Sequence, residues 1–223
     1  MDVRLLAGAA VKLVLGIVLV GLLLFLPAGT FRYVHAWLLI GVLFVPTLIV
    51  GIVMACKSPD LLRKRLNSKE KEGEQKAVVA LSGLMFLAAF ILAGLDFRFG
   101  WTHVPDWGIW TALGLFLASY LMYAGVLREN AFLSRTIEVQ EGQKVIDTGL
   151  YGVVRHPMYA ATLVMFLSMP LILGSLISLA VMSIYIPLII VRLSGEEKIL
   201  TASLQGYVDY KKKVRFRIIP YIW

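Results

Sequence analysis

Two short stretches carry the side chains best suited to chemistry. Residues 149–160 read GLYGVVRHPMYA, which sets Arg155 and His156 directly ahead of Pro157. Residues 192–200 read RLSGEEKIL, which sets Arg192 and Glu196 four apart, on one helix face, with Glu197 on the neighbouring face. Proline suits the first turn of a helix, where its missing N–H would be unpaired anyway, so Pro157 marks a helix start. The free amides and positive dipole end of that start favour an anion such as a carboxylate, and Arg155 and His156 reinforce the preference. Taken singly, the same residues also suit a headgroup anchor, a helix cap and an intrahelical Arg192–Glu196 ion pair. Tyr207 and Tyr210 follow, three apart, and then KKKVRFRIIPYIW, whose alternation suits a tail lying along a membrane surface.

Between the two stretches runs Met158 to Val191, thirty-four residues without a charge. A straight helix of that length would measure about 51 Å, against a hydrocarbon core of about 30 Å. The run must therefore fold back, and Pro170 with the Gly174-Ser175 pair marks the turn. Two short antiparallel helices are expected, each marginal in length and accommodated by tilt or a thin bilayer. Both outer ends then lie on one side, which brings Arg155 and His156 near Arg192, Glu196 and Glu197.

The rest of the chain agrees with a membrane setting. Of 223 residues, 59% are hydrophobic and 16% charged, and the mean hydropathy is +0.81, beyond what soluble domains carry. Apolar stretches long enough to span appear at about Leu5 to Leu26, Val34 to Ala55, Ala77 to Leu95 and Trp107 to Leu127. The fold class expected is all-α, a polytopic membrane protein of about five to six transmembrane helices. Residues 1–127 supply four spans; residues 128–223 supply a cytosolic connection, the hairpin and a tail.

Orientation follows from lysine and arginine. Residues 56–76 hold seven, residues 128–157 four and residues 192–223 seven, while the opposite loops hold only Arg32 and Arg98. Both termini are thus expected in the cytosol, in the cytoplasmic membrane of a prokaryote or the endoplasmic reticulum of a eukaryote. The net charge of +8 is explained by anionic lipid headgroups, and no nucleic acid partner is expected. GTFRYVHAW and DFRFGWTHVPDWGIW read as aromatic anchors of the far interface, His35 and His103 included. The first span is too long for the core of a signal peptide. Cys56 is the single cysteine, and no CxxC or HExxH spacing supports a metal site.

In order, VIDTGLYGVVRHPMYA, RLSGEEKIL, GYVDYKKKV and RFRIIP resemble the isoprenylcysteine carboxyl methyltransferase family and its phospholipid methyltransferase relatives, over about Arg128 to Trp223. The resemblance implies methyl transfer from S-adenosyl-L-methionine, bound at the cytosolic side, to a lipid-like acceptor reaching the site from the bilayer. By motif position it implies cofactor contacts at Gln140, Gln143, Lys144, Val145, Ile146, Tyr151, His156, Pro157, Met158, Tyr159 and Glu196. It places an acceptor-contacting arginine at Arg192. A carboxylate acceptor is ionised at neutral pH and needs positioning rather than a base. An amine acceptor needs a base, for which Glu197 is the candidate. A phospholipid amine and a small thiol stay open as acceptors, as does the oligomeric state. The competing classes are an NADPH-dependent membrane reductase of the sterol type and a non-catalytic membrane protein.

Overall fold

The computed structural model describes residues 3–66, 73–133 and 139–223; Lys69, Lys71 and Arg135 of the basic segments lie outside them. Four long helices lie where the apolar stretches predict: α1 (Val3–Ala28), α2 (Val34–Lys57), α4 (Gly73–Phe99) and α5 (Asp106–Glu129), with a short amphipathic α3 (Pro59–Leu66) after α2. Then follow α6 (Pro157–Ile172), α7 (Leu176–Met182), α8 (Tyr185–Ser203) and α9 (Tyr207–Lys213). Among the described residues there is no strand. Among the described residues, five segments are long and apolar enough to span a bilayer, the fifth being Leu176–Ser203, and α6 is a shorter apolar helix.

Helix α4 is the hub, with α1 against one side and α7 and α8 against another, while α5 lies along α6. Core side chains such as Leu24, Leu39, Ala89, Phe116, Ile172 and Leu193 meet between these helices. Leu15, Leu22, Leu48, Leu84 and Leu121 face outward, as expected where the surroundings are lipid. Close approach of α1 and α4 requires Gly94, since a Cβ there would stand 2.6 Å from the Leu24 carbonyl oxygen and 3.0 Å from Pro27 Cβ.

The hairpin turns at Leu173–Ser175. Gly174 takes φ +80°, its N–H bonds Leu171 O at 3.0 Å, and the Ser175 N–H bonds Pro170 O at 3.0 Å. That pair of bonds ends α6 in a Schellman motif, which needs a left-handed residue at the position Gly174 fills. Ser175 then caps α7 by accepting from the Ser178 N–H at 3.1 Å.

A buried polar knot fixes the turn to the bundle. The Ser175 hydroxyl donates to Asp96 Oδ2 at 2.5 Å, and Thr102 donates to Asp96 through its N–H at 2.7 Å and through its hydroxyl. The Tyr33 hydroxyl donates to Leu173 O at 2.6 Å. Tyr33 therefore departs from its expected role as an interface anchor: it is fully buried and stacks on Phe97 at 4.1 Å. Trp101, Trp107 and Trp110 remain exposed at that end.

The two arms of the hairpin are unequal, contrary to the expectation of two short helices. The first, α6, has 16 residues, whereas the second forms a span of 28 residues that continues through the charged GEEK segment to Ser203. Its break between α7 and α8 has a local cause. Pro187 has no N–H to give Ser183 and its ring crowds that carbonyl, so the Ile186 N–H bonds Ser183 O instead, at 3.0 Å.

Candidate functional site

At the end of the bundle opposite the Asp96 knot, the start of α6, the far half of α8, the connection after α5, and α9 enclose a cleft. Pro157 occupies the first turn of α6, as predicted, but His156 makes no side-chain cap there. The Arg155 N–H bonds Phe216 O and the His156 N–H bonds Arg217 O, each at 2.9 Å. The tail thus runs back along the segment ahead of α6. Val214 and Ile218 of this tail are buried in the protein, so part of its alternation serves internal packing. Because the tail and the His156 carbonyl, which accepts from the Tyr159 N–H at 3.1 Å, engage these groups, the helix start presents fewer free amides than the sequence suggests.

Beneath the cleft lies an ion cluster centred on Glu197, which is 4% exposed. Arg155 Nε donates to Glu197 Oε1 at 2.6 Å, His156 Nε2 lies 3.3 Å from the same oxygen, and Arg217 Nε and Lys211 Nζ lie 3.3 and 3.8 Å from Oε2. Arg155 also donates to the carbonyls of Val214 and Arg215 at 2.8 and 2.7 Å. The cluster welds α6, α8, α9 and the tail together. Glu197 is the residue named as candidate base for an amine acceptor. That carboxylate is outside the cleft lining, and its oxygens are engaged by Arg155, Lys211, Arg217 and the His156 ring.

Glu196, by contrast, faces the cleft together with Arg192. The Tyr159 hydroxyl donates to Glu196 Oε2 at 2.6 Å and orients that carboxylate. Arg192 Nη1 donates to Gln75 Oε1 of α4 at 3.4 Å. Gln75 is buried and fits against Gly195, where a Cβ would meet its Nε2 at 2.2 Å.

The opposite wall comes from the connection. Gln143, Lys144, Val145 and Ile146 line the cleft, as do Tyr151, His156, Met158 and Tyr159. Gln140 and Pro157, also predicted to touch a cofactor, do not line it. Gln140 instead shapes the connection: its N–H donates to Gln143 Oε1 at 2.9 Å and its side-chain amide donates to Phe132 O at 2.5 Å. Pro157 is fully buried under the helix start.

Asn130, Phe132, Leu133, Ile199, Leu200, Leu204, Tyr207 and Tyr210 complete the lining without having been singled out as contacts. Their only sequence signal was the Tyr207–Tyr210 spacing. Asn130 Nδ2 donates to the Tyr151 hydroxyl at 2.9 Å, and the Tyr210 hydroxyl donates to Tyr151 O at 2.7 Å. Burial pushes the Tyr151 phenol up to about 12. Lys213 ties α9 to the connection through Asp147 at 2.7 Å, and this contact lowers the Asp147 carboxyl below its ordinary range.

The cleft encloses about 870 Å³ of empty space, open mouth included, of which about 90 Å³ is wide enough for free water. Its walls stand close.

A helical bundle with five spans and a charged cleft at one end defines a polytopic all-α integral membrane protein with a polar site. Residues 110–202, α5 through most of α8, match the model of the isoprenylcysteine carboxyl methyltransferase (ICMT) family. The chain is also similar to the Delta(14)-sterol reductase of Methylotuvimicrobium alcaliphilum, 27% identical over 138 residues, covering 55% of this chain and 32% of that protein. It is similar to the Delta(14)-sterol reductase TM7SF2 of Mus musculus, 32% identical over 91 residues, 40% of this chain and 22% of that protein. The chain thus spans about a third or less of the length of these curated relatives.

Proposed function

We propose that the protein transfers a methyl group from S-adenosyl-L-methionine to a lipid-like acceptor, most naturally a carboxylate such as that of a prenylated cysteine. The observation that carries this reading is the placement of Arg192 and Glu196 on the cleft side of α8, facing Met158 and Tyr159 of α6. When bound, S-adenosyl-L-methionine supplies an electrophilic methyl group on a sulfonium centre.

The residues present suit that cofactor. Glu196, oriented by Tyr159, can accept from ribose hydroxyls or an ammonium. Tyr151 and Tyr159 offer aromatic faces to a base or a cation. Lys144 and His156 offer donors to a carboxylate, and Val145, Ile146 and Leu200 line an apolar portion. Arg192 can grip an acceptor carboxylate with two parallel N–H bonds. Alignment in a site that excludes water then does most of what a displacement at carbon needs. Because Glu197 is enclosed by cations and lies outside the cleft lining, the arrangement favours an acceptor that needs no base.

The second reading, an NADPH-dependent reductase, is favoured by the likeness to two Delta(14)-sterol reductases. A phosphate-rich dinucleotide would require several cations at the cleft. The lining carries Lys144, Arg155 and Arg192 together with the anionic Glu196, and Arg155 is engaged by Glu197 and tail carbonyls. That charge balance suits a sulfonium zwitterion better.

Thermal unfolding of the detergent-purified protein separates the readings. S-adenosylhomocysteine should raise Tm while NADPH leaves it unchanged; the reverse pattern would establish the reductase reading, and a response to neither would remove both. Incubating membranes with methyl-labelled S-adenosyl-L-methionine and identifying the labelled product would then give the acceptor.

A further inference from the structure

Among the described residues, a single buried side-chain oxygen or nitrogen has no hydrogen-bond partner: the hydroxyl of Tyr207. Tyr207 is 4% exposed and forms part of the cleft wall. Buried polar groups are nearly always paired, because an unpaired one loses its hydration and gains nothing in return. The neighbouring tyrosines follow that rule, with Tyr151 bonded to Asn130, Tyr159 to Glu196 and Tyr210 to Tyr151 O.

The surroundings say what would satisfy this hydroxyl. Burial first, and then the negative charges of Glu197 and Glu196, hold the phenol protonated far above its ordinary range, so it offers a proton. The same carboxylates disfavour an anionic partner beside it. Val139, Val145 and Leu200 pack with Tyr207, Leu204 and Tyr210, making this end of the cleft an apolar slot with a donor in its wall. A flat, uncharged heteroaromatic ring with lone pairs on ring nitrogens matches both properties.

We propose that Tyr207 is a ligand-contacting residue, its hydroxyl donating a hydrogen bond to an acceptor atom on the purine base of the bound nucleoside. This assignment rests on the S-adenosyl-L-methionine reading of the cleft and adds to it a residue outside the 110–202 segment that matches the family. It also makes Tyr207 a group that serves binding at the expense of stability, since its hydroxyl makes no hydrogen bond among the described residues.

The test is Tyr207→Phe in the full chain, purified in detergent, with calorimetric titration of S-adenosylhomocysteine and of 5′-methylthioadenosine, which carries the nucleoside without the amino-acid tail. Both Kd values should rise by a similar factor, about three- to tenfold for one neutral hydrogen bond, while Tm without ligand stays the same or rises. Unchanged Kd values in the variant would overturn the assignment, as would a lower Tm with intact binding, which marks a structural hydroxyl. A loss confined to S-adenosylhomocysteine would place the contact on the amino-acid tail and overturn the purine assignment. If the wild-type protein itself binds neither nucleoside, the reading of the cleft fails, and this inference falls with it.

Discussion

Arg192 and Glu197 share helix α8 and have opposite surroundings. Arg192 reaches into the cleft and meets Gln75; Glu197 is enclosed by Arg155, His156, Lys211 and Arg217. Their substitutions should therefore fail in different ways. Arg192→Ala removes the charge-assisted contact proposed to the acceptor, so kcat/KM should fall about ten- to a hundredfold, while S-adenosylhomocysteine binding persists. Glu197→Gln leaves Arg155 buried beside a neutral partner, and breaking a buried pair in this way costs roughly 3–5 kcal/mol. It should appear in thermal melts as a clear fall in Tm, with the remaining folded fraction still binding S-adenosylhomocysteine. If Glu197→Gln instead melts like the wild type and abolishes turnover, Glu197 serves as the base that an amine acceptor needs.

At the scale of elements, α4 positions the site without carrying most of its chemistry. It holds α1 through the close approach at Gly94 and anchors the hairpin turn through Asp96. At its other end it presents Gln75 to Arg192. Gly94→Ala sets a methyl group against the Leu24 carbonyl oxygen, where only separation of the two helices relieves the clash, and overpacking of this kind costs about 1–3 kcal/mol. Gly83→Ala on the same helix meets nothing within 4 Å and should be neutral or slightly stabilising, since alanine is the better helix former. A fall in Tm for Gly94→Ala alone is the expected result. Equal effects of the two would mean that α1 does not rest on α4 as described.

For the whole molecule, the cleft and the basic segments lie at one end of the bundle and the Asp96 knot at the other. From the distribution of lysine and arginine we propose that the cleft end faces the cytosol. Cys56, exposed at the end of α2, is a natural reporter of that end. An impermeant thiol reagent should reach Cys56 from the cytosolic side. In a Cys56→Ser background it should reach Lys212→Cys from that same side and Phe31→Cys from the opposite one. Reaction of Lys212→Cys and Phe31→Cys from the same side would contradict the bundle's topology.

Much of this arrangement is legible in the chain itself. Spans declare themselves because a bilayer demands unbroken apolar length, and Pro157 and Gly174 punctuate the hairpin because no other residue types tolerate those backbone requirements so well. The nearness of Arg155 and His156 to α8 follows from folding an uncharged run in two. What stayed hidden were choices between equivalent side chains: that Glu196 faces the cleft while Glu197 lies beneath it, that Tyr33 is core while Trp107 is not, and that Gln140 shapes a loop instead of lining the site. These depend on how α8 is turned about its axis and on the paths of the segments that carry Tyr33 and Gln140 outside the helices, which composition and spacing do not encode.

Sequence alone determined that this protein is a helical membrane bundle with its charge gathered at one end, because hydration of charge and solvation of apolar surface act residue by residue. Tertiary structure decided which of the gathered charges hold the protein together and which remain for a ligand. A carboxylate surrounded by Arg155, Lys211 and Arg217 and one facing an open cleft differ only in their neighbours, and neighbours drawn from α6, α8, α9 and the tail exist only once the chain has folded.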